Sequence, residues 1–465
     1  MNPELDIFEL ASRYRNADLA PSEVIDACLE RIRALDVKLG AFQLLTADQA
    51  RSAAANSDDT FARRKGVGPL LGVPFAVKDI FDIEGYVTGK GQPRTGLPLA
   101  ERTATVVQRL LSAGAILLGK TKTVEIAMGG WGVNEALGTP WNPWDKVTHR
   151  VPGGSSSGSA VAVAAGFSAF ALGTDTGGSV RLPAAFCGVT GLNVTANRLP
   201  TEGIMPLSQT LDTPGPITRT VLDAAILFDV MGGRAPDLIS RDLSSGSGLC
   251  GALHRGVGIA VLRLGAIDNK EREVCTAEIL DCYDSAVEVL RRLGAIVERL
   301  SPHLSYMQIA ENVGSLINAE AFEFHGADYQ SPEFRADENV RERIRAGAGI
   351  SLKARKRILS ERSEMQSSFR ADIHGIDALI TPTTPTPAIP VAEVDDAVNP
   401  AHFTRPFNYL GMCAVAVPIG LTPMGLPTSL QIAARRGDEA MALRVAAAFE
   451  SARGPIGDPP MGELH

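Results

Sequence analysis

Two glycine- and serine-rich segments constrain the fold of this chain more than any other feature. The first is Pro152-Gly-Gly-Ser-Ser-Ser-Gly-Ser159, and the second is Gly173-Thr-Asp-Thr-Gly-Gly-Ser-Val-Arg-Leu-Pro183. Each directly adjoins a strongly apolar segment, which argues against a flexible linker. Neither has the Gly-x-x-x-x-Gly-Lys-Ser/Thr sequence of a P-loop or the glycine spacing of a dinucleotide-binding fingerprint. We therefore interpret both segments as functional loops held by buried elements.

Short apolar segments alternate with helical patterns on both sides of these loops. Pro21 suits the first turn of a helix whose apolar residues recur on one face. Further along the chain, the pattern predicts strands at 71–78, 115–119 and 169–173, and helices at 105–113 and 159–165. Such alternation is typical of an α/β fold with a central sheet.

The remainder of the chain differs in composition. Residues 129–159 are rich in Gly, Pro, Asn and Ser, so we predict a long irregular loop, of a length that tends to be functional. From about 240 to 375 the chain is richer in charge and helical pattern, with Val257–Leu262 as an isolated strand. We find no internal repeat or linker, and predict one domain over residues 1–465 with 240–375 as its more variable helical portion.

The charge of the chain argues against a nucleic-acid-binding protein. A formal net charge of −8 and a pI near 5.5 provide no broad positive field for phosphate backbones. The one basic segment, Arg341–Arg357, is interleaved with Glu342 and small or apolar residues. We interpret it as the solvated face of a helix.

Three features of the sequence favour a cytoplasmic protein that does not bind membranes. The first residues are acidic and lack the basic and apolar regions of a secretory signal. The longest nearly apolar segment, residues 160–173, is shorter than the roughly 18 residues that span a bilayer. The six cysteines lack the paired spacing of a zinc site or a redox motif, which favours free thiols in a reducing compartment.

Together, the two loops and the strand that ends at Lys78 resemble the amidase signature family. In that family Gly-Gly-Ser-Ser-Gly-Gly-Ser is followed by Gly-Thr-Asp-x-Gly-Gly-Ser-x-Arg-x-Pro, and Ser155 and Ser179 fall in register with this pattern. Further matches are Gly119-Lys-Thr-Lys, Asn142-Pro-Trp-Asp, Cys187-Gly-Val-Thr-Gly-Leu, Asp212-Thr-Pro-Gly-Pro, Thr381-Pro-Thr-Thr-Pro and Gly425-Leu-Pro. The resemblance covers nearly the whole chain and implies the amidase signature fold, a central mixed sheet covered by helices on both faces. One family glycine is replaced by Ser157.

The resemblance also implies a serine amidohydrolase with a Ser-Ser-Lys triad. Carried over to this sequence, the nucleophile is Ser179, the bridging serine next to a cis peptide is Ser155, and the base is Lys78. Backbone N–H groups are expected to form the oxyanion hole, and these belong to Thr176, Gly177, Gly178 and Ser179.

The chemistry of the residues agrees with this assignment. A serine hydroxyl is a poor nucleophile unless a base lies within hydrogen-bond reach. No histidine occurs in either loop or beside Lys78. A lysine at the end of an apolar strand can be desolvated, which lowers its pKa and leaves a neutral amine that accepts a proton. Taken alone, Lys78 fits an ordinary surface lysine and each serine fits an ordinary loop serine; their joint spacing favours the triad.

Other residues of these segments have supporting or binding roles in this interpretation. The supporting residues, which hold the loops by hydrogen bonds and charge pairing, are Ser156, Asp175 and Arg181. The residues expected to shape an apolar acyl pocket, since binding sites are enriched in such side chains, are Met128, Gly129 and Trp131.

We expect the reaction to be cleavage of the C–N bond of a small carboxylic amide through an acyl-enzyme on Ser179, with no metal and no cofactor. Hydrolysis of a carbamate, urea derivative, hydrazide or aryl ester by the same residues stays open, because each passes through a tetrahedral oxyanion. A transamidating aminoacyl-tRNA amidotransferase subunit fits less well, since Ser208-Gln-Thr-Leu-Asp212 departs from the form of those subunits. A catalytically dead binding protein would be expected to lack a triad residue. The resemblance is also compatible with a homodimer, which is an expectation by family analogy alone.

Overall fold

Residues 6–63 and 68–461 are described by the structure, a computed structural model, and within them the chain forms one 11-stranded mixed sheet. Its strands are β1 (Phe42–Leu45), β2 (Pro74–Lys78), β3 (Ile116–Thr121), β4 (Phe170–Asp175), β5 (Thr190–Asn193), β6 (Thr213–Thr218), β7 (Arg263–Ile267), β8 (Ile296–Leu300), β9 (Ala378–Pro382), β10 (Cys413–Leu421) and β11 (Pro427–Ala434). They are arranged in the order β1-β3-β2-β4-β6-β5-β10-β11-β9-β7-β8.

The described residues also form sixteen α-helices, which pack on the faces and around the ends of this sheet. They are α1 (Ile7–Arg15), α2 (Pro21–Leu39), α3 (Ala47–Ala62), α4 (Thr105–Ser112), α5 (Ser157–Ala164), α6 (Arg181–Cys187), α7 (Val221–Met231), α8 (Pro236–Ser245), α9 (Gly248–Arg255), α10 (Asn269–Arg272), α11 (Ala277–Arg292), α12 (Tyr306–Gln330), α13 (Glu338–Ala348), α14 (Leu352–Asp372), α15 (Arg405–Leu410) and α16 (Glu439–Arg453). The predicted α/β fold with a helix-covered central mixed sheet is confirmed.

Three adjacent parallel strands set the position of the two serine loops. Strand β2 is parallel to both β3 and β4, and Val77 is paired with Leu172. The carboxyl ends of parallel strands meet at one edge of a sheet, where α/β proteins bind their ligands. Lys78 at the end of β2 and Asp175 at the end of β4 therefore lie at the same edge.

Helix α5 follows the first serine loop and is buried on every side. Residues 129–156 form an irregular loop, as predicted, and α5 begins at Ser157. All eight of its residues are buried, and they are only Ser, Gly, Ala and Val. Small side chains allow the helix to pack closely on β2, β3 and β4. The position of the first loop is therefore fixed by the core of the protein.

The predicted strand at Val257–Leu262 is wrong. Val261 adopts a φ of 62°, in the left-handed region, within a turn, and its side chain is exposed. The strand, β7, begins instead at Arg263 and contains Gly265. A Cβ at Gly265 would lie 2.1 Å from Leu300 Cδ1, so this buried strand requires a glycine and shows a weaker apolar pattern than its neighbour in sequence.

The interpretation of Arg341–Arg357 as a solvated helix face is also wrong for its first residues. Arg341 lies on α13 and is buried, because the chain that follows α12 folds over it. Its guanidinium donates to the carbonyl of Tyr329 at 2.7 Å and pairs with Glu338 at 3.4 Å. The charge pattern gave no sign of this burial, because it depends on a segment packed from outside the helix.

No α-helix within residues 6–63 and 68–461 is both long and apolar enough to cross a membrane. Between residues 240 and 375 the chain forms mainly helices, together with β7 and β8. The sheet is continuous from β1 to β8. The assignment of a single domain to residues 1–465 stays a prediction.

Candidate active site

Lys78 is the centre of a buried hydrogen-bonded group at the carboxyl end of β2. Its Nζ donates to Ser155 Oγ at 2.7 Å and to Thr174 Oγ1 at 2.9 Å. The side chain is fully buried, because β2 lies between β3 and β4 and α5 packs against it. Within the part of the chain that the structure describes, Lys78 forms no ion pair. Its direct partners are two hydroxyl groups.

This environment changes the protonation of Lys78. Burial lowers the pKa of the ammonium group from an ordinary 10.5 to about 7, even though the negative charges of Asp212 and Asp175 raise it. A lysine with a pKa of about 7 has a large neutral fraction near neutral pH. Because a neutral amine accepts protons, Lys78 has the chemistry of a general base.

The first serine loop places Ser155 and Ser156 between Lys78 and the second loop. The Gly154–Ser155 peptide bond is cis, and Ser155 is fully buried. The backbone N–H of Ser156 donates to the carbonyl of Ser179 at 3.2 Å, and the N–H of Thr174 donates to Ser156 Oγ at 3.3 Å. Ser156 therefore joins the two serine loops to each other and to β4.

The second serine loop turns sharply between β4 and α6. Gly178 has a φ of +126°, and a Cβ at this position would lie 2.2 Å from Thr404 Oγ1. No other residue type fits such a position without displacing Thr404. Ser179, which follows, is partly exposed and lines a pocket at the surface of the sheet edge.

An ion pair between Asp175 and Arg181 braces this loop from within. The guanidinium donates from Nη2 to Oδ1 and from Nε to Oδ2, each at 2.9 Å, and both side chains are fully buried. Burial raises the pKa of the Asp175 carboxyl, but Arg181 and the hydrogen bonds from Asn408 and Gly178 outweigh it and bring the pKa below the ordinary value. The carboxylate is therefore ionised and holds both ends of the loop.

The four predicted oxyanion-hole N–H groups differ in their hydrogen bonds, and their role stays a prediction. The N–H of Gly178 donates to Asp175 Oδ1 at 2.7 Å, so it is already engaged and is not available to a substrate oxygen. The physical reason is the bracing carboxylate, which needs donors for its buried oxygens. Within the described residues the N–H groups of Thr176, Gly177 and Ser179 have no hydrogen-bond partner, and all three residues line the pocket.

The sequence analysis assigned no role to Asp212, which lies beside the second serine loop. Its Oδ1 accepts from Thr176 Oγ1 at 2.5 Å, and its Oδ2 accepts from the N–H groups of Leu207 and Ser208 at 2.8 and 2.9 Å. Burial raises the pKa of this carboxyl to about 6, against the effect of these bonds and of Lys78. The Asp212-Thr-Pro-Gly-Pro match was the available signal. Thr174 was missed in the same way, within the Gly173-Thr-Asp motif.

The pocket beside Ser179 has a volume of about 350 Å³, with part of the solvent at its mouth included. Met128 and Gly129 line it, whereas Trp131 is not among its lining residues. The indole of Trp131 instead stacks on Phe186 and donates to the carbonyl of Val398 at 2.8 Å. The lining residues not assigned from the sequence include Ile317, Asn399, Arg343 and Arg405.

The polar groups of the site are an amine, hydroxyl groups, buried carboxylates and backbone N–H groups. Within residues 6–63 and 68–461, no group of three or more His, Cys, Asp or Glu side chains is arranged to hold a metal ion. The arrangement combines a buried lysine of lowered pKa, a serine bonded to it, a second serine at the pocket and the backbone donors of the second loop. These elements suit acyl transfer.

Comparison with known proteins identifies the family to which this chain belongs. The sequence model of the amidase family matches residues 23–443. A solved structure described as an amidase covers 97% of this chain and all of its own length, with a TM-score of 0.85 and 31% identity. The chain belongs to the amidase signature family, which confirms the resemblance, and is a hydrolase that acts on carbon–nitrogen bonds.

The names of the similar proteins within this family describe different activities. A 2-amino-5-chloromuconic acid deaminase from Comamonas testosteroni is 34% identical, with 96% of each chain covered. A glutamyl-tRNA(Gln) amidotransferase subunit from Chloroflexus aurantiacus is 36% identical, with 93% of each chain covered. The structure of a peptide amidase from Stenotrophomonas maltophilia has a TM-score of 0.83 and 27% identity, and covers 98% of this chain and 99% of its own.

Proposed function

We propose that this protein hydrolyses a small linear carboxylic amide through an acyl-enzyme on Ser179 and releases a carboxylic acid and ammonia or an amine. The observation that carries the proposal is the 2.7 Å hydrogen bond between Lys78 Nζ and Ser155 Oγ in a fully buried environment. A buried lysine bonded only to hydroxyl groups has no structural ion pair to maintain. Its position is instead suited to proton transfer.

In the proposed first step, Ser179 Oγ attacks the amide carbonyl carbon and forms a C–O bond. The proton of Ser179 passes to Ser155 Oγ as the proton of Ser155 passes to Lys78 Nζ. N–H groups of the second loop bind the oxyanion that forms. Because the oxyanion is absent from the bound substrate, loss of these donors should lower the rate more than it weakens substrate binding.

In the second step, the C–N bond breaks and the protons return along the same path to the leaving nitrogen. Water then adds to the ester carbonyl, and its proton follows the route to Lys78. The C–O bond to Ser179 breaks, the same proton returns to Ser179 Oγ, and the carboxylic acid is released. The net reaction is amide plus water to acid plus ammonia or amine. The residues in these roles are Lys78, Ser155 and Ser179.

A serine-directed fluorophosphonate tests the nucleophile without knowledge of the substrate. We expect a single covalent adduct, located on Ser179 by peptide mapping, and no adduct in Ser179→Ala. Ser157→Ala is the matched control and should be labelled like the wild type, because its hydroxyl makes only a 3.5 Å contact with the carbonyl of Lys122. An adduct on another serine, or none, would contradict the proposal.

Primary amides, carbamates, hydrazides and aryl esters should then be compared by release of their nitrogen or alcohol product. Faster turnover of the amides supports the linear-amide assignment. Preference for another group would keep the Ser179 chemistry and change the substrate class.

A transamidating protein that acts on aminoacyl-tRNA is the second candidate, and the similarity to a glutamyl-tRNA(Gln) amidotransferase subunit favours it. Against it stand the net charge of −8 and the Ser208-Gln-Thr-Leu-Asp212 segment. We expect the isolated chain to hydrolyse amides without a partner and to bind no tRNA. Retention of labelled tRNA on the purified protein would favour the transamidating function instead.

A further inference from the structure

Two arginines line the same pocket as Ser179. Arg343 comes from α13, and Arg405 is the first residue of α15. Both side chains are partly buried. They lie far apart in sequence, so the pocket brings together two cations that no single motif contains.

Within residues 6–63 and 68–461, neither of these arginines forms an ion pair. The guanidinium of Arg343 donates once, from Nη1 to the carbonyl of Met128 at 3.0 Å, and the guanidinium of Arg405 has no hydrogen bond to the described residues. The buried arginines of the described chain behave differently, since each pairs with a carboxylate: these are Arg150, Arg181 and Arg341. Other partly buried arginines without a carboxylate partner, such as Arg109 and Arg362, donate to backbone carbonyls, whereas the side chain of Arg405 has no hydrogen-bond partner among the described residues.

The charges of the pocket are not balanced locally. Burial, and then the charge of Arg343, lowers the pKa of Arg405 to about 9. Burial also lowers the pKa of Arg343, and the negative charge of Asp396 partly offsets this effect. Partly desolvated cations close to each other are unfavourable in the absence of an anion. An anionic ligand would remove this penalty on binding.

The pocket is also selective in the sign of the charge it accepts. No aspartate or glutamate occurs among its lining residues in the described part of the chain. An ammonium group would find no carboxylate there and would meet two guanidinium groups. The pocket therefore suits an anion and disfavours a cation or a zwitterion.

The arginines lie close to the reacting serine. A Cβ at Gly177 would be 3.1 Å from Arg405 Cγ and 3.8 Å from its Nε, so this side chain packs over the loop that carries Ser179. The enclosed space is small, since even the volume of about 350 Å³ includes open solvent at the mouth, and a ligand held within it must be small. The anionic group and the scissile bond must then belong to one short molecule.

We propose that the substrate is an amide that also carries a carboxylate, such as the monoamide of a short dicarboxylic acid, and that Arg343 and Arg405 bind this carboxylate. Guanidinium groups bind carboxylates through paired N–H donors. The inference rests on the proposed amide hydrolysis. The balanced reaction is monoamide plus water to dicarboxylate plus ammonium.

Matched substrates test the proposal in the wild-type enzyme. Malonamate, succinamate and glutaramate should be compared with propionamide, butyramide and valeramide, which have the same chain lengths without the carboxylate. We expect kcat/KM for at least one anionic amide to exceed its neutral counterpart by about 100-fold, since two charged hydrogen-bonding groups are gained. L-Glutamine, which adds an ammonium group, should be a poor substrate.

Variants locate the effect on the two arginines. Arg405→Met and Arg343→Met should each lower kcat/KM for the anionic amide about 10- to 100-fold, mainly through KM, and change the neutral amide less than about threefold. Arg345→Met is the matched control. Arg345 lies on α13, as Arg343 does, but it is exposed, and its Nη1 makes only a long ion pair of 3.9 Å with Glu338 Oε1. Equal losses on both substrates would contradict a carboxylate-binding role.

A binding measurement separates this inference from the proposed reaction. Succinate and glutarate, tested by their effect on thermal unfolding, should stabilise the wild type and not Arg405→Met. If dicarboxylates bind in this way and no amide is cleaved, the proposed function fails and the anion site stands. If neutral amides are cleaved as fast as anionic ones and dicarboxylates do not stabilise the wild type, the inference is overturned and the proposed function stands.

Discussion

Two regions beside the loop that carries Ser179 differ in how they pair buried charge: the lysine side, which is buried around Lys78, and the arginine side, which lines the pocket. On the lysine side, Lys78 is bonded to two hydroxyl groups, and nearby Asp175 and Arg181 neutralise each other. On the arginine side, Arg343 and Arg405 lie in the same pocket without a carboxylate partner among the described residues. The lysine side is complete as folded, whereas the arginine side is complete only with a ligand. This difference separates residues suited to chemistry from residues suited to selection of a substrate.

The largest effect should come from removal of the lysine. We expect Lys78→Met to lower kcat about 10³-fold or more, because a general base is lost from the proposed proton path. Methionine has nearly the same side-chain volume as lysine, so the packing around residue 78 should be kept. Steady-state kinetics with the best amide measure this effect, and the thermal unfolding midpoint should stay close to that of the wild type. Near-normal hydrolysis at neutral pH would exclude Lys78 as the base.

Arginine variants compare the two sides through stability. Arg181→Met should destabilise the protein by about 3–5 kcal/mol, because it leaves the buried carboxylate of Asp175 without its partner. Arg405→Met should leave stability unchanged or raise it slightly, because it removes a cation that meets no carboxylate in the described chain. Denaturant unfolding of the two variants measures the contrast. A similar loss in both would show that Arg405 has a structural partner after all.

Neighbouring serines provide a smaller, local contrast on the lysine side. Ser155→Ala should lower kcat about 10²- to 10³-fold, because Lys78 loses its 2.7 Å partner in the proton path. Ser157→Ala should change kcat by less than about threefold, because its hydroxyl makes only one weak contact. Both variants need the same assay at the same pH. If the two losses are equal, the first loop acts only as a scaffold.

The lysine side could be predicted from sequence because its residues lie within short contiguous motifs. The apolar strand ending at Lys78 and the two loops with Ser155 and Ser179 each carry a local pattern that survives without knowledge of the packing. The fold class followed from the same alternation of strands and helices. Thr174 and Asp212 lie within recognised motifs, but their roles depend on distances between elements.

The arginine side could not be predicted, for a physical reason. Arg343 lies in a charged helix whose pattern fits solvent exposure, and Arg405 lies near the start of a short helix. Only the packing of α13 on α12, and of the start of α15 against the second serine loop, brings them to the pocket. Trp131 shows the converse, since its aromatic side chain favoured a pocket role, while its indole packs on Phe186.

The pH dependence of catalysis tests whether the protonation of Lys78 controls the activity of the lysine side. A base must be deprotonated to act. We therefore expect kcat/KM to be low at acidic pH, where Lys78 is protonated, and to rise with pH through an apparent pKa of about 7. Asp212, with a pKa of about 6, is coupled to it, so the observed value belongs to the pair.

Asp212→Asn sharpens this test and should have the smallest effect. The negative charge of Asp212 favours the ammonium form of Lys78, so its removal should lower the pKa of Lys78 and move the acid limb to lower pH. Activity relative to the plateau should then rise about threefold at pH 6, for a shift of about half a unit. The asparagine amide can still bond Thr176, Leu207 and Ser208, so the loop should keep its shape. A limb that moves to higher pH, or does not move, would mean that the pH dependence of catalysis arises from a group other than Lys78.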